Sequence, residues 1–138
     1  MILGDTGALV AFFHAEDADH RIVRSFFQTD PRVRELSIPA FVITETAYFI
    51  EKRMGARSEA ALLAMAARGT FPIVDALARD YERASDLVLA YADFPLGAVD
   101  GLIVAMAERL NVTTLLTLDR RHFSAVRPAH REHFTIVP

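Results

Sequence analysis

The chain has 138 residues, 52% of them apolar, with 15 Lys and Arg against 18 Asp and Glu for a formal charge of −3. That is enough apolar material for a real core and one domain over 1–138, and too little positive charge for a protein that coats nucleic acid through a broad basic face, so any nucleic-acid contact should be local. Cysteine is absent, which excludes a disulfide framework, a thiolate nucleophile and Cys-type zinc sites and suits a cytoplasmic location. The N-terminus, MILGDTGALVAFFHAED, has no cationic leader, and Asp5 and His14 interrupt its apolar stretch before it could cross a bilayer, so no membrane partner is expected.

In chain order, Met1 to Gly4 reads as a short buried strand that ends at Asp5 and feeds a helix from Gly7 to about His14, with Asp5 and Thr6 as a capping pair. Ile22, Val23, Phe26 and Phe27 fall at helical spacing, so a second helix covers His20 to Gln28 and stops at Asp30-Pro31. A strand over Glu35 to Ile38 follows. Pro39 then heads a long helix, Ala40 to Met54, closed by Gly55. Ser58-Glu59 opens an alanine-rich helix to Arg68, Thr70 to Val74 reads as a strand, and Ala78 to Tyr91 as another helix. A loop of turn formers, 92–97, leads to a helix from Ala98 to Leu110. Thr113 to Leu118 is the clearest strand, and Phe134 to Val137 is the last. Strands alternating with helices predict an α/β fold of three layers, α/β/α, around a central, mostly parallel sheet of four to five strands.

Four acids, Asp5, Glu45, Asp100 and Asp119, stand near the ends of these elements. Ligands in open parallel sheets collect beyond the carboxyl ends of the strands, and one such crevice can hold all four. Glu45 has Phe41 at i−4, Tyr48 at i+3 and Phe49 at i+4, and Asp100 is flanked by Leu96, Ile103 and Val104, so both lie on helix faces expected to pack inward. A carboxylate among apolar groups is costly unless neutralised, and several together call for a divalent cation. Each acid has a plainer alternative. Asp5 could simply cap a helix, Asp100 could complement a helix dipole, and Asp119 could pair on the surface with the arginines after it. Glu45 has no cation near it on its face except Lys52. Asp93, in the loop before Asp100, reads as solvated.

The opening ILGDTGAL, the stretch Ile38-Pro39-Ala40-Phe41-Val42-Ile43-Thr44-Glu45, the run Leu96-Gly97-Ala98-Val99-Asp100-Gly101-Leu102-Ile103 and the segment Leu116-Thr117-Leu118-Asp119-Arg120-Arg121-His122-Phe123 together resemble the PIN domain, and within it the VapC-type toxins of toxin-antitoxin pairs. Gly101 stands where that family often has alanine. The resemblance implies a PIN-like fold and a Mg²⁺-dependent endoribonuclease, with Mn²⁺ able to substitute, in which Asp5, Glu45, Asp100 and Asp119 are the catalytic metal ligands and activated water attacks an RNA phosphodiester. It further implies a homodimer and a cognate antitoxin protein as partner. Beside that set, Thr6 and Thr117 are candidates to orient ligands or water through their hydroxyls, and Arg120 and Arg121 to grip the RNA backbone.

Among the histidines, His130 and His133 are three apart, a spacing that can chelate, but they lie in a polar tail and read as surface residues; His14, His20 and His122 receive no role. The aromatic residues Phe12, Phe13, Phe26, Phe27, Phe41, Tyr48 and Phe49 read as core and dimer interface. Two other readings compete. A PIN-domain nuclease need not belong to a toxin-antitoxin pair, and Asp5-Thr6-Gly7 also resembles the signature of dimeric aspartic proteases, which are all-β. A phosphoacceptor receiver domain would need a lysine at a late strand end, and the one lysine, Lys52, lies inside a helix.

Overall fold

A computed structural model describes residues 1–138. Five strands, β1 (Ile2–Gly4), β2 (Leu36–Pro39), β3 (Ile73–Val74), β4 (Thr114–Leu116) and β5 (Thr135–Val137), form one wholly parallel sheet in the order β3-β2-β1-β4-β5. Seven helices flank it: α1 (Thr6–Phe13), α2 (His20–Thr29), α3 (Ala40–Met54), α4 (Ala56–Ala67), α5 (Ala78–Ala90), α6 (Ala98–Leu110) and α7 (Arg120–Ala125). Every residue of β1 and β2 is buried, as expected of parallel strands covered on both faces. A cluster of 26 buried apolar residues, including Leu3, Leu9, Ile38, Val42, Ile103, Met106 and Leu115, forms the main core.

This architecture is the α/β layering the alternation predicts, and it leaves no place for the all-β aspartic-protease reading, because Asp5-Thr6-Gly7 leads from a parallel strand into α1. The long helices match their sequence signals. Pro39, with φ −59°, enters α3, and Gly55 leaves it at φ 83°, a left-handed backbone that favours glycine. Asn111 closes α6 in the same left-handed region, at φ 54°.

Short elements differ from expectation. Residues Pro31–Glu35 form a 3₁₀ turn capped by Asp30, so β2 starts at Leu36, one residue late. The predicted strand Thr70 to Val74 shrinks to Ile73–Val74 at the sheet edge, since Gly69, at φ 68°, turns the chain first. Helix α7 has no counterpart in the sequence reading; its six residues are too few to display a helical period, and its start is set by Asp119, whose side chain accepts the His122 N–H.

Two ion pairs fasten α5 to α6. The Arg109 Nε lies 2.8 and 2.9 Å from the two oxygens of Asp80, a residue only 2% exposed, and Arg83 grips Glu108 through two bonds of 2.7 and 2.9 Å. Glu108 also accepts the Ala129 N–H at 2.8 Å, tying the segment before β5 to the same helix.

Candidate metal centre

The strand order places a topological switch between β1 and β4: the chain builds outward from β1 through β2 to β3, then returns to add β4 and β5 on the other side. At such a point successive connections part to opposite sides and leave a crevice at the carboxyl ends of the strands. Asp5 directly follows β1. Its N–H donates to the Leu116 carbonyl at 2.9 Å, extending the β1–β4 ladder by one step and holding the residue over the crevice. Asp119 stands three residues beyond β4, while α3 and α6 bring Glu45 and Asp100 from either side.

Hydrogen bonds then link these acids. The Thr6 hydroxyl donates to Glu45 Oε2 at 2.5 Å, and the Thr6 N–H donates to Asp5 Oδ1 at 2.7 Å. The Thr117 hydroxyl donates to Asp5 Oδ2 at 2.7 Å and itself accepts the Asp119 N–H at 3.0 Å. Asp119 Oδ1 accepts the His122 N–H at 2.9 Å, and its Oδ2 lies 2.7 Å from His122 Nδ1, which in turn is 3.9 Å from Asp100 Oδ2. The chain Glu45–Thr6–Asp5–Thr117–Asp119–His122 thus runs unbroken along the crevice, with Asp100 at its far side. Ligand atoms of Asp100, Asp119 and His122 all lie within 4.8 Å of one another.

The electrostatics are those of crowded carboxylates. Asp5 is 7% exposed; burial pushes its carboxyl up to about 6, the nearby charges of Asp100 and Asp119 add to the rise, and the bonds from Thr117 and Thr6 oppose it. Burial also raises Asp100, with Asp119 and Glu45 pushing the same way and His122 against. Asp119 goes the other way: burial would raise it, but the N–H and ring of His122 outweigh that and hold it below the ordinary aspartate range. Oxygen donors that raise one another's pKa in one crevice suit a hard divalent cation, whose charge removes the repulsion.

The four acids predicted from the sequence line one crevice, with both threonines bonded to Asp5 and Glu45, but the set whose ligand atoms lie within 4.8 Å of one another is Asp100, Asp119 and His122; Asp5 and Glu45 join it through the threonine bonds. Two details differ from the reading of helix faces. Tyr48 is 57% exposed, because the buried face of α3 is Val42, Ile43, Thr46, Ala47 and Ile50, and Glu45 borders that face rather than lying within it. The arginines diverge: Arg120 donates to the carbonyl of Pro138, whereas Arg121 lies over the Phe94 ring at 4.9 Å, beside the centre. His130 is half-buried, not a free surface group, with Nε2 2.7 Å from the Val112 carbonyl oxygen. His122 is the participant that sequence reasoning passed over. Its signal was present as a histidine three residues after Asp119, where a helix opening at Asp119 turns it back onto the cap. An apolar cavity of about 480 Å³ between α1, α2 and α4, lined by Leu9, Phe12, Phe13, Phe27 and Met65 among others, carries no carboxylate and is separate from this chemistry.

Fold and site define a class, an α/β protein with an oxygen-donor pocket at the switch point of a five-stranded parallel sheet. The chain belongs to the PIN-domain family, whose model matches residues 2–127. It is 37% identical over 134 residues to ribonuclease VapC26 of Mycobacterium tuberculosis (strain ATCC 25618 / H37Rv), an alignment covering 97% of this chain and 98% of that protein. The crystal structure of M. tuberculosis VapC20, a Sarcin-Ricin loop cleaving toxin, has the same fold, with a TM-score of 0.83 at 21% identity over 96% of this chain and 99% of its own. VapBC2 from Rickettsia felis, bound to a DNA fragment from its promoter, matches with a TM-score of 0.69 at 17% identity, covering 99% and 97% of the two chains. A toxin-antitoxin complex from Klebsiella pneumoniae matches with a TM-score of 0.68 at 20% identity, covering 100% and 97%. No helix is long and apolar enough to cross a membrane.

Proposed function

We propose that this chain is a cytoplasmic endoribonuclease that uses Mg²⁺, or Mn²⁺ in its place, through Asp5, Glu45, Asp100 and Asp119, and that it acts as the toxin of a toxin-antitoxin pair. The observation that carries the reading is the hydrogen-bonded line from Glu45 through Thr6, Asp5 and Thr117 to Asp119, which gathers carboxylates from three distant segments at the switch point, with Asp100 of a fourth segment 3.9 Å from His122 beside it. Family membership and the ribonuclease relative at 37% identity support the reaction and the toxin role.

Bound among these oxygens, a divalent ion supplies Lewis acidity to the scissile phosphate and makes water a competent nucleophile near neutral pH. The chain's own groups prepare for this. Thr6 and Thr117 spend their hydroxyl protons on Glu45 and Asp5, which fixes those carboxylates and leaves their remaining lone pairs for an ion or for water. Asp119, held below the ordinary range, stays ionised at any working pH, whereas Asp5 gives up its proton only near pH 6, so the pocket reaches full negative charge only above that value. Arg121, stacked on Phe94 at the rim, is placed to meet the phosphate backbone of a bound RNA. Arg120, engaged with Pro138, is not needed for this role.

For partners, the reading takes a cognate antitoxin, supported by the VapBC fold relatives, and a second copy of the chain. Exposed Leu77, Tyr81 and Leu89 on one side of α5 offer an apolar strip for self-association. Incubation of the purified protein with structured RNA, with Mg²⁺ or Mn²⁺ and with EDTA, tests the core of the proposal. Cleavage should require the metal and disappear in Asp5→Asn and Asp100→Asn variants; cleavage that persists in EDTA or in either variant overturns it.

A further inference from the structure

We propose that His122 is a positioning residue of the metal centre: its ring N–H fixes the Asp119 carboxylate in the orientation that receives the ion. The inference rests on the metal-centre reading above and adds to it a residue outside the four acids.

Three observations carry it. First, both oxygens of Asp119 are engaged by the same residue, Oδ1 by the His122 N–H at 2.9 Å and Oδ2 by Nδ1 at 2.7 Å, so the carboxylate plane has one setting, with one lone pair left on each oxygen. Second, Nδ1 faces two carboxylates, Asp119 at 2.7 Å and Asp100 at 3.9 Å. An ionised carboxylate only accepts, so Nδ1 carries the proton and is a donor, which rules it out as a ligand atom in that state. Third, the ring is braced from outside the helix. The Phe94 ring meets it edge-on at 5.0 Å and 65°, and the Arg121 guanidinium lies over the Phe94 ring, 4.9 Å from its centroid. Phe94 belongs to the loop that leads into α6, so the brace couples the Asp119 segment to the one carrying Asp100. Asp119 is the more exposed partner in this pair, at 36% of its side chain, and without the ring only backbone N–H groups, those of His122 and Arg121, would restrain it against water. Hydrogen-bond partners of ligating carboxylates act in this way generally, and their loss weakens metal binding 10- to 100-fold by order of magnitude, roughly.

The test is Mn²⁺ binding by titration calorimetry at one fixed pH, without RNA, for the wild type and for His122→Ala, His122→Phe and His122→Asn. Phenylalanine keeps the packing on Phe94 but has no donor, and asparagine restores an N–H close to the Nδ1 position. Metal-free melting curves confirm that each variant is folded. The Ala and Phe variants should bind Mn²⁺ about tenfold more weakly, and the Asn variant within roughly threefold of wild type. Pulsed EPR of the Mn²⁺-loaded wild type should show no directly coordinated nitrogen. Wild-type affinity in the Ala and Phe variants overturns the inference while leaving the metal centre standing, and so does an Asn variant as weak as Ala. A coordinated nitrogen signal overturns it in favour of direct ligation. Folded wild type that binds no Mn²⁺ removes the metal centre itself, and this inference with it.

Discussion

Asp5 should destabilise the metal-free protein, and replacing it with its uncharged isostere should make the chain more stable while disabling it. The carboxyl is 7% exposed and is pushed from 3.8 up to about 6, chiefly by burial. Between those two values the folded chain holds a proton that the unfolded chain releases, so this group's contribution is most favourable in acid and is lost as pH rises through about 6. About two pKa units correspond to roughly 3 kcal/mol at pH 8. Asp5→Asn removes that penalty and keeps the shape. Its amide nitrogen would face the Thr117 hydroxyl, now a donor to Asp5 at 2.7 Å, and reorienting that bond costs about 1 kcal/mol. The net gain is then about 2 kcal/mol, or about 6–10 °C in melting temperature for a chain of this size. Melting curves in EDTA at pH 8 and pH 5 measure it; at pH 5, where most of the folded wild type is protonated at Asp5, the gap should fall to about 1 kcal/mol or less. Adding Mg²⁺ at pH 8 should raise the wild type and leave the variant unmoved. A variant no more stable than wild type at pH 8 in EDTA would refute the assignment of a charge penalty to this carboxyl.

Asp80 should behave with the opposite sign. Burial alone would raise it, but the Arg109 bonds and the Leu77 N–H hold it below the ordinary range, so its stabilisation is present at neutral pH and is lost as pH falls through and below that range. Arg109→Ala strands that buried carboxylate and should cost about 3–5 kcal/mol in urea unfolding. Thr117→Val removes the hydroxyl between Asp5 and the Asp119 N–H and should weaken Mg²⁺-dependent thermal stabilisation and RNA cleavage by about tenfold, with Thr117→Ser close to wild type. Equal metal response in the Val and Ser variants would show that the bridge is dispensable. Leu87→Ala, at 1% exposure in α5, should lower unfolding free energy by about 2–5 kcal/mol and leave Mg²⁺ affinity unchanged.

The parts legible in the sequence are those governed by local chemistry. Pro39 and Gly55 bracket α3, and the ends of α6 coincide with the predicted Ala98 and Leu110, because proline, glycine and helical periodicity act within a few residues. Asp5 and Asp119 were readable as strand-end acids for the same reason. What escaped depends on tertiary contacts. Helix α7 is too short for periodicity and is set by the Asp119 cap, and the importance of His122 arises from Phe94 and Asp100, which lie 28 and 22 positions away in the sequence. The fate of the arginines could not be read either. Neighbours in sequence, they part because one reaches the last residue of the chain and the other a loop before α6.

The bond between Thr117 and Asp5 spans 112 positions, and β4 reaches β1 only after six of the seven helices, the 3₁₀ turn and two further strands have been laid down between them. During synthesis the pocket therefore cannot preassemble. A nascent polypeptide still short of Thr117 carries Asp5, Glu45 and Asp100 but lacks both the hydroxyl that holds Asp5 and the carboxylate of Asp119.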